Sequence, residues 1–358
     1  VTPTDAKRAI REAFDTALAA IEPRSVVTRF LSDHSEELGD GPVGLVAIGK
    51  AAAGMAWGAQ DALGDRLVSG VAVGPEPSDA PEGISWFTGG HPVPDSNSET
   101  AGRAVIDYLD SADVEFVVFL ISGGGSALAE VPPEGVGIDE LAMIQQTLLR
   151  SGIPIDQVNL ARRSLSLLKN GHLLDHTSVP HATLLISDVG DAPAEVIASG
   201  PTIGAPTSAG TVTAILERAG LEIGGSLRAH LDGLGPITAN ENWTVVADSW
   251  SAVQAAEVAL EGTGLPISVP RRPFSGEARR VAPALVRGAG SGFTVAPGEA
   301  TVTVTGDGVG GRNTEAALTV AINIDGTDDV VFAALTTDGV DGPTDVAGAI
   351  VDGGSASR

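Results

Sequence analysis

The run Glu115–Ile121 (EFVVFLI), followed at once by Ser122-Gly123-Gly124-Gly125-Ser126-Ala127, constrains this chain more than any other stretch. A segment so short and so continuously apolar reads as a strand covered on both faces, which belongs in a parallel sheet flanked by helices. Glycines directly after such a strand let backbone N–H groups face one point, a nest for phosphate or carboxylate. Strand and apolar residues bracket the glycines too tightly for a linker. The turn predicts an anion site without saying which anion.

The same arrangement recurs. Gly44–Ile48 (GLVAI) runs into Gly49-Lys50 and an alanine-rich helix. Gly44-x-x-x-x-Gly49-Lys50 formally matches most of a P-loop, but its x positions are strand core, and Ala51 stands where Ser or Thr would hold magnesium. What survives is a lysine at a strand-to-helix junction. That is a poor place for a solvated cation and a good one for a phosphate ligand. Thr183–Ile186 leads into Ser187-Asp188-Val189-Gly190-Asp191, so Asp188 lies beyond the carboxyl end of a strand, where α/β sheets carry their chemistry. A turn-forming role would explain one aspartate there, but two are harder to dismiss. Finally, a strand over Thr301–Thr305 is expected to enter Gly306–Gly311 and a helix beginning Arg312-Asn313-Thr314-Glu315, presenting N–H groups and an arginine to an anion. A strand over Val330–Leu335 then delivers Asp338 and Asp341. Anion holders and metal-grade carboxylates, each just past a strand, line one edge of an open parallel sheet and point to phosphoryl transfer.

Other segments read as packing. A helix is expected over residues 2–22, capped by Thr4 or Asp5, and another around Ser25–Leu38. His91, in Gly89-Gly90-His91-Pro92-Val93-Pro94-Asp95, is read either as a ligand contact or, the preferred expectation, as fixing that turn with a backbone hydrogen bond. A helix over Asp156–Leu168 is expected to end at Lys169-Asn170-Gly171, where a C-cap glycine and a dipole-matched lysine suffice as explanation.

At 358 residues two domains are expected. The turn-rich run Gly224–Pro236 places them at 1–235 and 236–358. The expected fold class is α/β: a larger Rossmann-like parallel sheet with helices on both faces, and a smaller mixed α/β domain. Cysteine is absent, which excludes disulfides, thiolate metal sites and a thiol nucleophile. No long apolar run and no basic-then-apolar start occurs, so neither a membrane span nor a signal peptide is expected, and the location is read as cytoplasmic. The net charge of −25, with Lys7, Lys50 and Lys169 the sole lysines, argues against nucleic-acid partners. Acidic excess with lysine depletion points to a high-salt cytosol, with an acidic, high-GC-type bacterial protein as the alternative.

Taken together, AIGKAA (47–52), GGHPVPD (89–95), SGGGSAL (122–128), LLKNG (167–171), LLISDVGD (184–191), ASGPT (198–202), GDGVGGRNTEAAL (306–318) and TTDGVDGPTDVAGAIVDG (336–353) resemble the glycerate 2-kinases with a C-terminal MOFRL domain. They run in family order over nearly the whole chain. The resemblance implies ATP-dependent phosphorylation of D-glycerate at its 2-hydroxyl, with Mg²⁺, in a cleft between two α/β domains. Its motif residues fall on Lys50, Asp188, Arg312, Asn313, Glu315, Asp338 and Asp341. Two departures stand out. His172 occupies the place of a family arginine, which weakens an anionic contact there. Family chains also continue beyond the Asp-Gly-Gly at 352–354, so the second domain is expected to be truncated.

On this reading Lys50 and Arg312 meet phosphoryl and carboxylate charge, and Ser122, Gly123, Gly124, Gly125 and Ser126 bind an anion. Asn313 and Glu315 join the substrate and nucleotide contacts. Asp188 orients or deprotonates the hydroxyl, and Asp338 with Asp341 holds Mg²⁺, the roles of Asp188 and Asp338 being exchangeable. Partners are then small molecules, ATP and D-glycerate, acting on a monomer or homodimer. Two alternatives stand beside it. Gly306-x-Gly308-x-x-Gly311 matches the dinucleotide fingerprint of an NAD(P)H-dependent hydroxypyruvate reductase, and a binding protein without turnover is the other.

Overall fold

The computed structural model describes residues 2–188, 190, 193–235, 237 and 240–357. The chain forms two compact units, one of Glu22–Ala247 and one of Val1–Ile21 together with Asp248–Arg358. Helix α1 (Pro3–Ala20) therefore belongs with the later part of the chain. Its cap is Thr2, two or three residues earlier than expected, whose hydroxyl accepts the Asp5 N–H. Pro3 is tolerated inside the helix because the first turn needs no N–H from it.

The unit Glu22–Ala247 starts with α2 (Pro23–Asp33), β1 (Val43–Ile48), α3 (Ala52–Leu63), β2 (Leu67–Gly74) and β3 (Ile84–Thr88). It continues through α4 (Ser96–Ser111), β4 (Phe116–Ser122), the single turn α5 (Gly125–Leu128), α6 (Ile138–Arg150) and α7 (Ile155–Ser164). It ends with β5 (His181–Ile186), α8 (Ala209–Arg218), α9 (Gly225–Asp232) and β6 (Trp243–Ala247). The strands make one six-stranded parallel sheet in the order β3-β2-β1-β4-β5-β6. That is the doubly wound Rossmann order. From β1 the chain works outward to β3, then returns to β4 and works outward the other way. The reversal leaves a crevice outside the carboxyl ends of β1 and β4.

The apolar runs explain why these two strands sit in the middle, since every residue of both is buried. Val46, Ile48, Val117, Phe119 and Ile121 pack against Ala101, Val105 and Leu109 of α4. Leu45, Ala47, Val118 and Leu120 alternate to the opposite face, and α3 lies against β1, β2 and β4. Covering a side chain such as Phe119 contributes about 1.5–3 kcal/mol. A second core joins α6–α9 through Leu141, Leu148, Leu216, Leu227 and Leu231. The last two explain why the expected boundary at 235/236 differs from the division at 247/248. Leu227 and Leu231 lie four apart on α9, so Gly225–Asp232 is a packed helix rather than a linker, and the unit runs on to β6.

The other unit contains α10 (Ser249–Glu261), β7 (Ile267–Ser268), β8 (Phe274–Glu277), α11 (Ala278–Gly288), β9 (Phe293–Thr294), β10 (Gly298–Thr301), α12 (Arg312–Asn323), β11 (Val331–Leu335) and β12 (Gly348–Asp352). β7 pairs with β9 and β8 with β10 in parallel, while β11 and β12 are antiparallel. This is the smaller mixed α/β unit expected. Ala13 and Ala17 of α1 pack on Ala252, Ala256 and Leu260 of α10, and Lys7 forms an ion pair with Asp352. The strand expected at 301–305 instead ends at Thr301. Its partner β8 stops at Glu277, where α11 begins, and the Glu277 carboxylate accepts the Thr303 N–H in place of a ladder bond. Among the described residues no helix is long and apolar enough to cross a membrane.

Candidate active site

Backbone contacts join the carboxyl ends of β1 and β4. Gly49 has φ +134°, and a Cβ built on it would lie 2.2 Å from Ser122 Oγ and 2.5 Å from the Ser122 carbonyl oxygen. Glycine is needed for that approach. The Lys50 N–H donates to the Gly123 carbonyl (2.9 Å), and the Ala51 N–H donates to Ser122 Oγ (3.1 Å). Ser122, expected to face an anion, is buried and its hydroxyl serves the start of α3 instead. Gly124–Ser126 remain for a ligand, because the leading N–H groups of a single turn such as α5 have no acceptor within it.

Three side chains gather over this bend. A Cβ built on Gly124 would sit 3.0 Å from Cγ and 3.4 Å from Cε of Lys50, and 3.5 Å from Cδ2 of His91. One on Gly123 would fall 1.8 Å from Oδ2 of Asp188. The structure thus brings Lys50, the triple-glycine bend and Asp188 to one rim, at the ends of β1, β4 and β5. Asp191 lies outside the described residues.

His91 differs from the expectation. Its turn is held by Gly90, whose N–H donates to Ser98 Oγ (2.9 Å) and Asp95 Oδ1 (3.2 Å). The imidazole is turned to the rim. Burial lowers its pKa below the ordinary histidine value, the Lys50 ammonium pushes it further down, and Asp188 opposes both. The sequence signal was its place beyond β3, the same kind of position that singled out Lys50 and Asp188.

Lys169 also differs. α7 stops at Ser164, whose hydroxyl donates back to the Leu160 carbonyl, so Lys169 caps no helix. It is fully buried and ion-paired with Glu130, itself fully buried. Burial pulls the ammonium below the ordinary lysine range, against the attraction of Glu130. His172 pairs with Asp175, Nδ1 to Oδ2 at 3.0 Å.

In the second unit, α12 corrects two expectations. Asp341 is 1% exposed. Its Oδ1 accepts the Asn313 N–H (2.9 Å), and its Oδ2 accepts the Thr314 N–H (2.7 Å) and hydroxyl (2.8 Å). The carboxylate is a helix cap delivered from a distant loop, not an open metal ligand, and the N–H groups expected to hold a ligand anion are given to the chain's own. Gly311 permits this, since a Cβ there would lie 2.5 Å from Asp341 Cγ. Arg312 is ion-paired with Glu299, and Glu315 with Arg279. Asp338 is exposed and accepts the Thr336 hydroxyl at 2.5 Å. Among the described residues no three His, Asp or Glu side chains cluster to hold a metal. Asp338 alone still fits Mg²⁺, an ion that takes one or two carboxylates and otherwise phosphate and water oxygens. The Gly306–Gly311 string follows exposed irregular chain rather than a strand, and its helix start carries a carboxylate where a pyrophosphate would sit. That geometry counts against the dinucleotide reading.

Residues 9–232 match the family described as "Domain of unknown function (DUF4147)", and residues 292–358 match the MOFRL family. The D-glycerate 2-kinase of Thermotoga maritima is 34% identical over 328 residues, 87% of this chain and 79% of its own. An Agrobacterium vitis protein bearing the provisional name hydroxypyruvate reductase is 35% identical over 368 residues, 97% of this chain and 83% of its own. The crystal structure of glycerate kinase from Thermotoga maritima superposes with a TM-score of 0.89 at 31% identity, covering 99% of this chain and 88% of that one.

Proposed function

Because the chain belongs to the glycerate kinase family that joins a DUF4147 domain to a MOFRL domain, we propose that it transfers the γ-phosphoryl group of ATP to the 2-hydroxyl of D-glycerate. The observation that carries this reading is the meeting of Lys50, the Gly123–Ser126 bend and Asp188 at the reversal point of the sheet. Phosphoryl transfer asks for positioning and charge more than for covalent chemistry. Lys50 and the N–H groups of the bend supply positive potential for phosphoryl or carboxylate oxygens. Asp188, on the adjacent strand end, accepts the hydrogen bond of the attacking hydroxyl and takes its proton as the new O–P bond forms and the bond to the bridging oxygen of ADP breaks. His91, whose pKa burial and the Lys50 ammonium lower, adds a hydrogen-bonding group at the rim. In the other unit, Arg312, now ion-paired with Glu299, is the cation proposed to meet anionic charge. Asp338 would hold Mg²⁺, which supplies charge neutralisation of the phosphate oxygens.

Phosphorus NMR after incubation with ATP, Mg²⁺ and D-glycerate tests the reading. The expected product is 2-phosphoglycerate; 3-phosphoglycerate would overturn the regiochemistry. NADH or NADPH oxidation with hydroxypyruvate in the absence of ATP would favour the reductase. Lys50→Ala and Asp188→Asn should each lower turnover by about 10²–10⁴-fold while the chain stays folded. Wild-type turnover in either variant removes that residue from its role.

A further inference from the structure

Among the described residues, the non-glycine positions with positive φ are Asn170 (56°), Ala198 (51°) and Ser199 (63°). They meet in space. The Asn170 N–H donates to the Ser199 carbonyl (3.2 Å), and the Gly171 N–H donates to the Gly200 carbonyl (2.7 Å). Side-chain-bearing residues stay in the left-handed region where their surroundings over-determine them, and such places cluster at functional sites.

Here the surroundings form a closed ring. Ser199 Oγ is hydrogen-bonded to Ser126 Oγ (2.8 Å), on the anion-binding bend. From Ser126 the chain passes through α5 to Glu130, whose carboxylate is paired with Lys169 in the buried interior. Lys169 precedes Asn170, which returns to Ser199. Glu130 is fixed further. Its Oε1 accepts the Val131 N–H (3.2 Å), its Oε2 accepts Gln145 Nε2 (3.0 Å), and its own N–H donates to the Ser98 carbonyl (3.0 Å). Ser98 is the residue whose hydroxyl holds the turn carrying His91. Glu130 is thus tied through its chain to the bend, through its carboxylate to Lys169 and the strained segment, and through its backbone N–H to the residue that holds the His91 turn, while it and Lys169 are both closed to solvent.

We propose that the Glu130–Lys169 pair is the positioning element of the catalytic rim, fixing the bend and the strained segment, with their Ser126–Ser199 hydroxyls, against one another. The proposal rests on the bend being the anion-binding part of the kinase site. A buried ion pair is weak evidence for stability, since desolvation offsets the attraction and apolar isosteres are often as stable. What such isosteres do not reproduce is a directional, doubly anchored link.

The test is the double variant Glu130→Leu/Lys169→Met, which leaves no unpaired buried charge. The expected result is a melting temperature equal to or above wild type with kcat down about 100-fold, the scale of a misplacement near 1 Å, and KM for glycerate within about threefold. A purely structural pair would leave kcat of the folded enzyme unchanged, and that result overturns the proposal. Should the double variant not fold, Ser199→Ala decides. A fall in kcat of about tenfold at unchanged melting temperature supports the ring, and wild-type kcat overturns it. Gly124→Ala separates this from failure of the underlying reading. If that variant is fully active, the bend is not the anion site. If it is inactive while the double variant and Ser199→Ala are fully active, the ring alone fails.

Discussion

Gly123→Ala offers a way to disturb the rim without disturbing the fold. Gly123 does not lie in the left-handed region, so alanine brings no backbone strain. The atoms nearest its new Cβ all belong to the Asp188 carboxyl group: Oδ2 at 1.8 Å, Cγ at 2.4 Å and Oδ1 at 2.8 Å. Restoring ordinary contact of about 3.4 Å moves that carboxylate by about 1.6 Å, and the clash falls on the far end of an exposed side chain rather than on backbone. Stability should therefore change by no more than about 0.5–1 kcal/mol. Turnover should fall by about 100-fold, because a proton acceptor displaced by more than 1 Å no longer meets the attacking hydroxyl. The assay pairs a urea denaturation midpoint with kcat from coupled ADP release. Wild-type kcat at wild-type stability would refute the placement of Asp188 in the reaction. A large loss of stability would refute the claim that the contact is purely local.

The second unit supplies contrasting outcomes. Asp341→Ala strips the acceptor from two N–H groups and a hydroxyl at the start of α12 and should cost about 2–3 kcal/mol in urea unfolding, whereas Asp338→Ala should stay within about 0.5 kcal/mol and instead raise the Mg²⁺ concentration needed for half-maximal rate. Equal stability of the Asp341 variant and wild type would show that the carboxylate is not the cap. The Asp352 carboxyl is lowered to about 2, chiefly by Lys7 and then by the Ser355 hydroxyl. A group whose folded pKa lies below its unfolded value stabilises the fold above that unfolded value and stops doing so as pH falls through the folded one. The melting-temperature gap between wild type and Lys7→Met should accordingly be constant above about pH 4 and close as pH nears 2. A gap that persists unchanged at pH 2 would dissociate it from this pair.

The rim was legible because its signals are local. An apolar run followed by Gly49-Lys50, by Ser122–Ser126 or by Asp188 announces strand and loop within a dozen residues, and a parallel sheet then brings such loops to one edge. What failed to show depends on partners remote in sequence. Asp341 reads as a ligand until the first turn of α12, some 28 residues earlier, is seen donating to it. Lys169 reads as a helix-end charge until Glu130, 39 residues away, is seen buried against it. The glycines at 224 and 225 suggested a linker because a short helix with two buried leucines carries little periodic signal. The orientation of His91 was missed for the opposite reason. A rigid turn was the preferred explanation, yet Asp95 and Ser98 hold that turn and the imidazole faces the rim.

The cap on α12 bears on how the chain is made. Synthesis delivers Gly311 and the first turn of that helix well before Asp341 has left the ribosome, so the nascent segment emerges with its leading amides bare. Until β11 and the turn beyond it arrive, that end has only water or a passing anion to satisfy it, and the start of the helix closes only once Asp341 has followed it out.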